Sequence, residues 1–138
     1  MYVGDISNDK KHGRGLFTWN NGDKYEGQWV DDKMEGEGIM YYSNGDVYQG
    51  GFYNSLFHGK GRFYFRYGDV YIGDFNNNLK SGYGTFYFNG ESTLKGDRYE
   101  GQFANGKFHG KGTYHYKDGR TYQGYWNNAD TNSLQTNN

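Results

Sequence analysis

Three histidines, His12, His58 and His109, recur at one turn position in alternate segments of the chain, and four aspartates, Asp23, Asp46, Asp69 and Asp97, recur at another. A histidine row could bind metal, and a carboxylate row could do acid–base work. Spacing decides. Two segments amount to four strands, ~19 Å at ordinary strand spacing, whereas a metal ion holds its histidines at about 2 Å. No two of these histidines can share an ion, so structural turn histidine is the expected role. Each aspartate is expected to bond the backbone of its own turn. GKG (59–61) and GDRYEG (96–101) look like pieces of phosphate loops, but no strand-to-helix transition follows either. No serine stands with a recurrent His and Asp, and the absence of cysteine excludes thiol nucleophiles, thiolate zinc sites and disulfides. The expectation is a non-enzyme without metal or cofactor.

What remains is rings and lysines. Trp19, Trp29, Tyr42, Phe52, Phe65, Phe75, Phe88, Phe103 and Tyr116 are expected on one side of the chain's framework. Part of that row should stay open for a partner, because a single layer cannot cover its own face. A thinner stripe, Tyr41, Tyr64, Tyr87 and His115, falls on the other side and reads as cross-strand stacking. Lys10, Lys11, Lys33, Lys60, Lys80, Lys107 and Lys111 fall in or beside turns that also carry Met34, Leu56, Phe57, Leu79 and Phe108. Lysine with an apolar tip could touch an anionic bilayer.

The elements that must position these residues follow from a period. Tyr-X-Gly recurs at Tyr2, Tyr25, Tyr48, Tyr71, Tyr99 and Tyr122, with steps of 23, 23, 23, 28 and 23. A fixed period means an array of one small unit and an extended surface. The units are 2–24, 25–47, 48–70, 71–98 and 99–121, then a half unit 122–126. The longer fourth unit carries its extra residues within 89–95, where they should lengthen a loop and leave the strands in register. Each unit holds two strand-like stretches. Tyr-X-Gly-X-aromatic (25–29, 71–75, 99–103) alternates so that Tyr25, Gly27 and Trp29 share a face. Gly-X-Gly-X-apolar-X-aromatic (13–19, 59–65, 82–88, 110–116) does the same for Gly59, Gly61, Phe63 and Phe65. Linkers such as 8–12, 54–58 and 105–109 join the two strands, and Asn-Gly or Gly-Asp turns join units (21–24, 44–47, 67–70). Nothing repeats at the helical period. The predicted fold is all-β: a repeat array of antiparallel hairpins forming one elongated, twisted, single-layer meander of eleven strands, roughly 50 Å long. Glycine on the ring face leaves room for rings to lie flat.

Composition agrees. The 138 residues hold 24 glycines, no proline and 29 aromatic residues, against 12 Leu, Ile and Val. The balance of 15 basic and 16 acidic residues argues against nucleic acid as partner. No apolar run approaches 18 residues, the first residues lack a signal-peptide pattern, and a cytoplasmic place beside a membrane or the cytoskeleton is expected. Residues 127–138 read as a disordered tail.

The motif Tyr-X-Gly-X-aromatic, then Asn-Gly-Lys-X-His-Gly, then X-Gly resembles the MORN repeat (membrane occupation and recognition nexus). The best copies are 99–112 and 48–61, and the likeness covers residues 2–126. Ile6 departs from it at the first-strand aromatic, and Glu35 and Ser81 at the histidine. The resemblance implies a row of β-hairpins acting as a protein scaffold, a membrane-associated module, or a targeting part of a larger enzyme. The leading expectation is a scaffold that holds a helix, an extended peptide or a second copy of itself along the rings, giving a homodimer in the last case. The alternatives are anionic phosphoinositide binding through the lysines and a fragment of a larger enzyme, suggested by a repeat that opens directly after Met1.

Overall fold

A tyrosine two residues before a glycine and four before a second ring puts all three on one face only if the chain is extended. In the computed structural model, which describes residues 1–130, each such stretch is a strand. The order is β1 (Tyr2–Ser7), β2 (Lys10–Thr18), β3 (Lys24–Val30), β4 (Lys33–Tyr41), β5 (Val47–Tyr53), β6 (Leu56–Tyr64), β7 (Val70–Asn76), β8 (Leu79–Tyr87), β9 (Arg98–Ala104), β10 (Lys107–His115) and β11 (Thr121–Ala129). They form one antiparallel sheet of eleven strands in chain order. The described residues contain no helix.

A row of glycines fixes the register. Gly4, Gly15, Gly27, Gly38, Gly50, Gly61, Gly73, Gly84, Gly101, Gly112 and Gly124 face one another in succession across all eleven strands. The unit-opening tyrosines lie flat over this row, and a methyl added at Gly38 would fall inside the Tyr25 ring. The Tyr25 hydroxyl then donates to the Gln28 carbonyl at 2.9 Å, and Tyr2, Tyr48, Tyr71 and Tyr99 make the same bond three residues on. The first glycine of each Gly-X-Gly has a different reason. Gly36 sits where the pairing slips between Gly27 and Trp29, with φ +76°. The Gln28 side chain accepts the next N–H, that of Glu37, at 2.8 Å.

Two expectations are corrected. The five-residue linkers inside hairpins are two-residue turns: Asn8-Asp9, Asp31-Asp32, Asn54-Ser55 and Asn77-Asn78 all have positive φ at both positions. This is the turn that matches strand twist, and Asn and Asp tolerate it. The polar residues after it, Lys10 to His12 among them, are the outward and inward side chains of strands rather than loop. The disordered tail also starts too early, because β11 runs on through Ala129. The remainder of that expected tail, from 131, lies outside the described residues.

A ring-lined face as candidate partner site

The ring face is built of columns, one residue per unit. Tyr25, Tyr48, Tyr71 and Tyr99 are fully buried beneath their neighbours. Beside them run Trp29, Phe52, Phe75 and Phe103, each set edge-on to the tyrosine of its own unit at 5.1–5.2 Å between centroids. A third column, Met34, Phe57 and Phe108, is buried too. Phe57 stacks flat on Tyr48 at 3.8 Å, and Phe108 on Tyr99 at 4.2 Å. The expectation that Met34, Phe57 and Phe108 are turn tips is therefore wrong. They are the second residues of their strands and point into the rings.

Of the nine rings expected to face a partner, Trp29, Phe52, Phe75, Phe88 and Phe103 are core. Trp19, Tyr42 and Phe65 are half-buried and Tyr116 is exposed. These four belong with Phe88 to the column that ends each second strand. Phe88 differs in being buried at 1 % exposure, packed against Phe86 and Tyr114. Leu94, from the longer loop of its unit, belongs to the same core. The insertion lengthens a loop as expected, but it also adds a residue to the core. Phe63 and Phe65, both half-buried, line a hollow of about 150 Å³ together with Phe57, Phe75, Leu79, Lys80 and Gly106.

The seven lysines do not share a face. Lys10, Lys33, Lys60, Lys107 and Lys111 alternate out of phase with the rings and so lie on the opposite side. Lys60 pairs there with Asp74 at 2.5 Å, and Lys111 lies over the Tyr125 ring at 5.9 Å. That side also carries Glu26, Glu37 and Glu100, and its broad hollow of about 660 Å³ mixes Glu37 with Lys60 and Arg62. Lys11 and Lys80 face the rings. The stripe of Tyr41, Tyr64, Tyr87 and His115 is interleaved with Val47, Val70 and Arg98 on paired strands, and His115 meets Glu100 at 2.6 Å.

The repeated polar residues tie one unit to the next. Asp23, Asp46, Asp69 and Asp97 do not bond only their own turns: their carboxylates accept the N–H of Ser43, Arg66, Asn89 and Lys117, each in the following unit, at 2.7–2.9 Å. The Tyr114 hydroxyl adds a 2.7 Å bond to Asp97. Burial, reinforced by that carboxylate, pushes the Tyr114 phenol well above the usual range. The histidine position works likewise. The side chains of Glu35 and His109 accept the N–H of Asn54, the first turn residue of the next unit, and of Asn128, which stands at the equivalent position within β11. These histidines lie in strands, not turns. The described residues hold no cluster able to bind a metal ion. Sequence reasoning missed these bonds because their partners stand about twenty residues away. The signal was present in the identical offset of acceptor and donor from unit to unit.

A family model for the MORN repeat matches residues 2–24, 25–47, 48–70, 71–93 and 99–119. The chain belongs to the MORN-repeat family. The matched segments coincide with the hairpin units, and the gap at 94–98 covers the end of the long loop of the fourth and the first residue of β9. A comparison with curated proteins found no match. MORN repeats are non-catalytic modules of protein and membrane interaction, and no described element of this array is a helix long and apolar enough to cross a membrane.

Proposed function

We propose that this MORN array is a non-enzymatic scaffold that holds a helix or extended peptide along its ring face. The observation that carries the reading is the ring column left half-buried at Trp19, Tyr42 and Phe65 and exposed at Tyr116, with an apolar hollow at Phe63 and Phe65 in the middle of the single-layer sheet. A one-layer sheet leaves one side of its core to solvent or to a partner, and exposed apolar surface rimmed by polar groups marks interaction sites. The hollow is small and the ring row runs on past it along the sheet, which suits a long ligand better than a metabolite. The spread of lysines over two faces, interleaved with carboxylates, lends no support to a basic lipid-binding plane.

The test is panning of the full chain against a random 16-residue peptide library, followed by titration of the selected peptides. Replacing Phe65 by Ala should weaken binding by about 2 kcal/mol. Charge reversal at Lys60 and Lys107 should leave it within about twofold, since exposed charges contribute little. Unchanged affinity in a folded Phe65→Ala protein, or loss on reversing those lysines, overturns the reading.

A further inference from the structure

The column that holds Met34, Phe57 and Phe108 has two other members, Lys11 and Lys80. Each places a cation where its relatives place an apolar group. The Lys80 ammonium lies 5.8 Å from the Tyr71 and Phe65 ring centres and 5.9 Å from that of Phe86. The Lys11 ammonium lies 5.0–5.6 Å from Tyr2, Phe17 and Trp29.

The two differ in one respect. The second turn residue of the following unit reaches back to this column. For Lys11 that residue is Asp32, whose carboxylate is 3.7 Å from the ammonium and accepts the Lys11 N–H at 2.8 Å. For Lys80 it is Gly106. The Gly106 N–H makes the conserved-geometry backbone bond to the Lys80 carbonyl at 2.9 Å, but glycine brings no carboxylate. Among the described residues no carboxylate oxygen comes within 4.0 Å of the Lys80 ammonium. Gly106 and Lys80 together line the hollow beside Phe63 and Phe65.

We propose that the ring face selects an acidic residue within an otherwise apolar stretch of its partner, and that this carboxylate enters the hollow and pairs with Lys80 in the position that Asp32 occupies at Lys11. The inference rests on the scaffold reading above. Burial pushes the Lys80 ammonium below the usual lysine range, and a partner carboxylate beside it would favour its charged form. Rings around a cation attract it only in part, and pairing within an apolar wall is stronger than at an open surface. A lipid head with several phosphates fits less well. Lys11 and Lys80 are six strands apart, ~29 Å, and cannot converge on one head group.

The test uses the same library, panned on the full chain and on two variants. Lys80→Met installs the residue that unit two carries as Met34, so folding is expected. Gly106→Asp installs the carboxylate of unit two. Its φ of +84° is one that Asp9 and Asp32 adopt at 65° and 69°, and only Leu79 lies near an added Cβ, at 3.8 Å. Peptides from the wild type should share one Asp or Glu flanked by apolar residues, and changing it to Asn or Gln should weaken binding about tenfold or more. Lys80→Met should select peptides without the acid. Gly106→Asp should weaken the acidic peptides by a similar factor, having supplied its own carboxylate. Peptides that bind the wild type with no shared acid, or an acid kept by Lys80→Met, overturn this inference and leave the scaffold reading standing. No peptide bound by the wild type overturns both. So does sedimentation with phosphatidylserine vesicles that is lost in Lys80→Met while no acidic peptide is selected.

Discussion

The tyrosine that opens each unit works at both ends of its ring. The flat face covers two glycines, and the hydroxyl closes onto a backbone carbonyl. Gly38→Ala should therefore cost about 2–3 kcal/mol, because the methyl displaces a buried ring. Gly59→Ala meets no atom within 4 Å and carries only its left-handed φ of +81°, so about 1 kcal/mol is expected. Urea unfolding of the two variants reads the difference, and equal losses would refute the assignment of separate roles. The same rings set an alkaline limit. Burial raises the phenols of Tyr25, Tyr42 and Tyr99 to about 12, from the ordinary 10.0. Between these values the unfolded chain has released protons that the folded chain retains, so stability is full below pH 10 and falls as pH rises towards 12. A urea midpoint that holds steady from pH 9 to pH 11.5 would contradict this. The ring–glycine lattice was legible in the sequence because alternation alone fixes which residues share a face. The hydroxyl bond was not, since nothing in Tyr-X-Gly names a carbonyl three residues on as acceptor.

At the scale of the hairpin, polar residues do the joining. Asp46→Ala removes the acceptor of the Arg66 N–H across two units, and a loss of about 1 kcal/mol is expected. Asp46→Asn, which keeps an acceptor, should recover most of it in the same thermal unfolding measurement. Leu94 is the corresponding device in the fourth unit. Its 5 % exposure comes from packing over the ring face, so Leu94→Ala should cost about 2–3 kcal/mol and raise quenching of nearby ring fluorescence by iodide. The place of that insertion was evident from the broken period. Its contribution to the core was not, because a loop read by composition gives no weight to its one leucine. The short hairpin turns were misjudged for a related reason. Lys-Lys-His reads as loop by polarity, but strand residues on an open face are equally polar, and only Asn8 and Asp9 take the φ values that a turn demands.

For the whole molecule, a unit is the quantum of structure. Deleting residues 48–70 joins Val47 to Tyr71 in phase, so a folded nine-stranded sheet is expected, with a urea m-value reduced roughly in proportion to the lost surface. Deleting 48–58 instead breaks the glycine row and should give a chain without a cooperative transition in circular dichroism. The array was readable from sequence down to its unit boundaries, but the split of the lysines over two faces was not. It depends on strands beginning three residues earlier than the polar runs suggest. The order of strands carries one more consequence. Each strand bonds only to the strands before and after it in the chain, and the longest repeated ties reach back about one unit, as from Arg66 to Asp46. Sheets are slow to form when their strands must find distant partners. Here every partner has already been synthesised or comes next, and a hairpin closes in about 1–10 μs. A growing chain at several residues per second can therefore lay each hairpin onto a finished edge, and the strand order lets the sheet be assembled in the order in which it is translated.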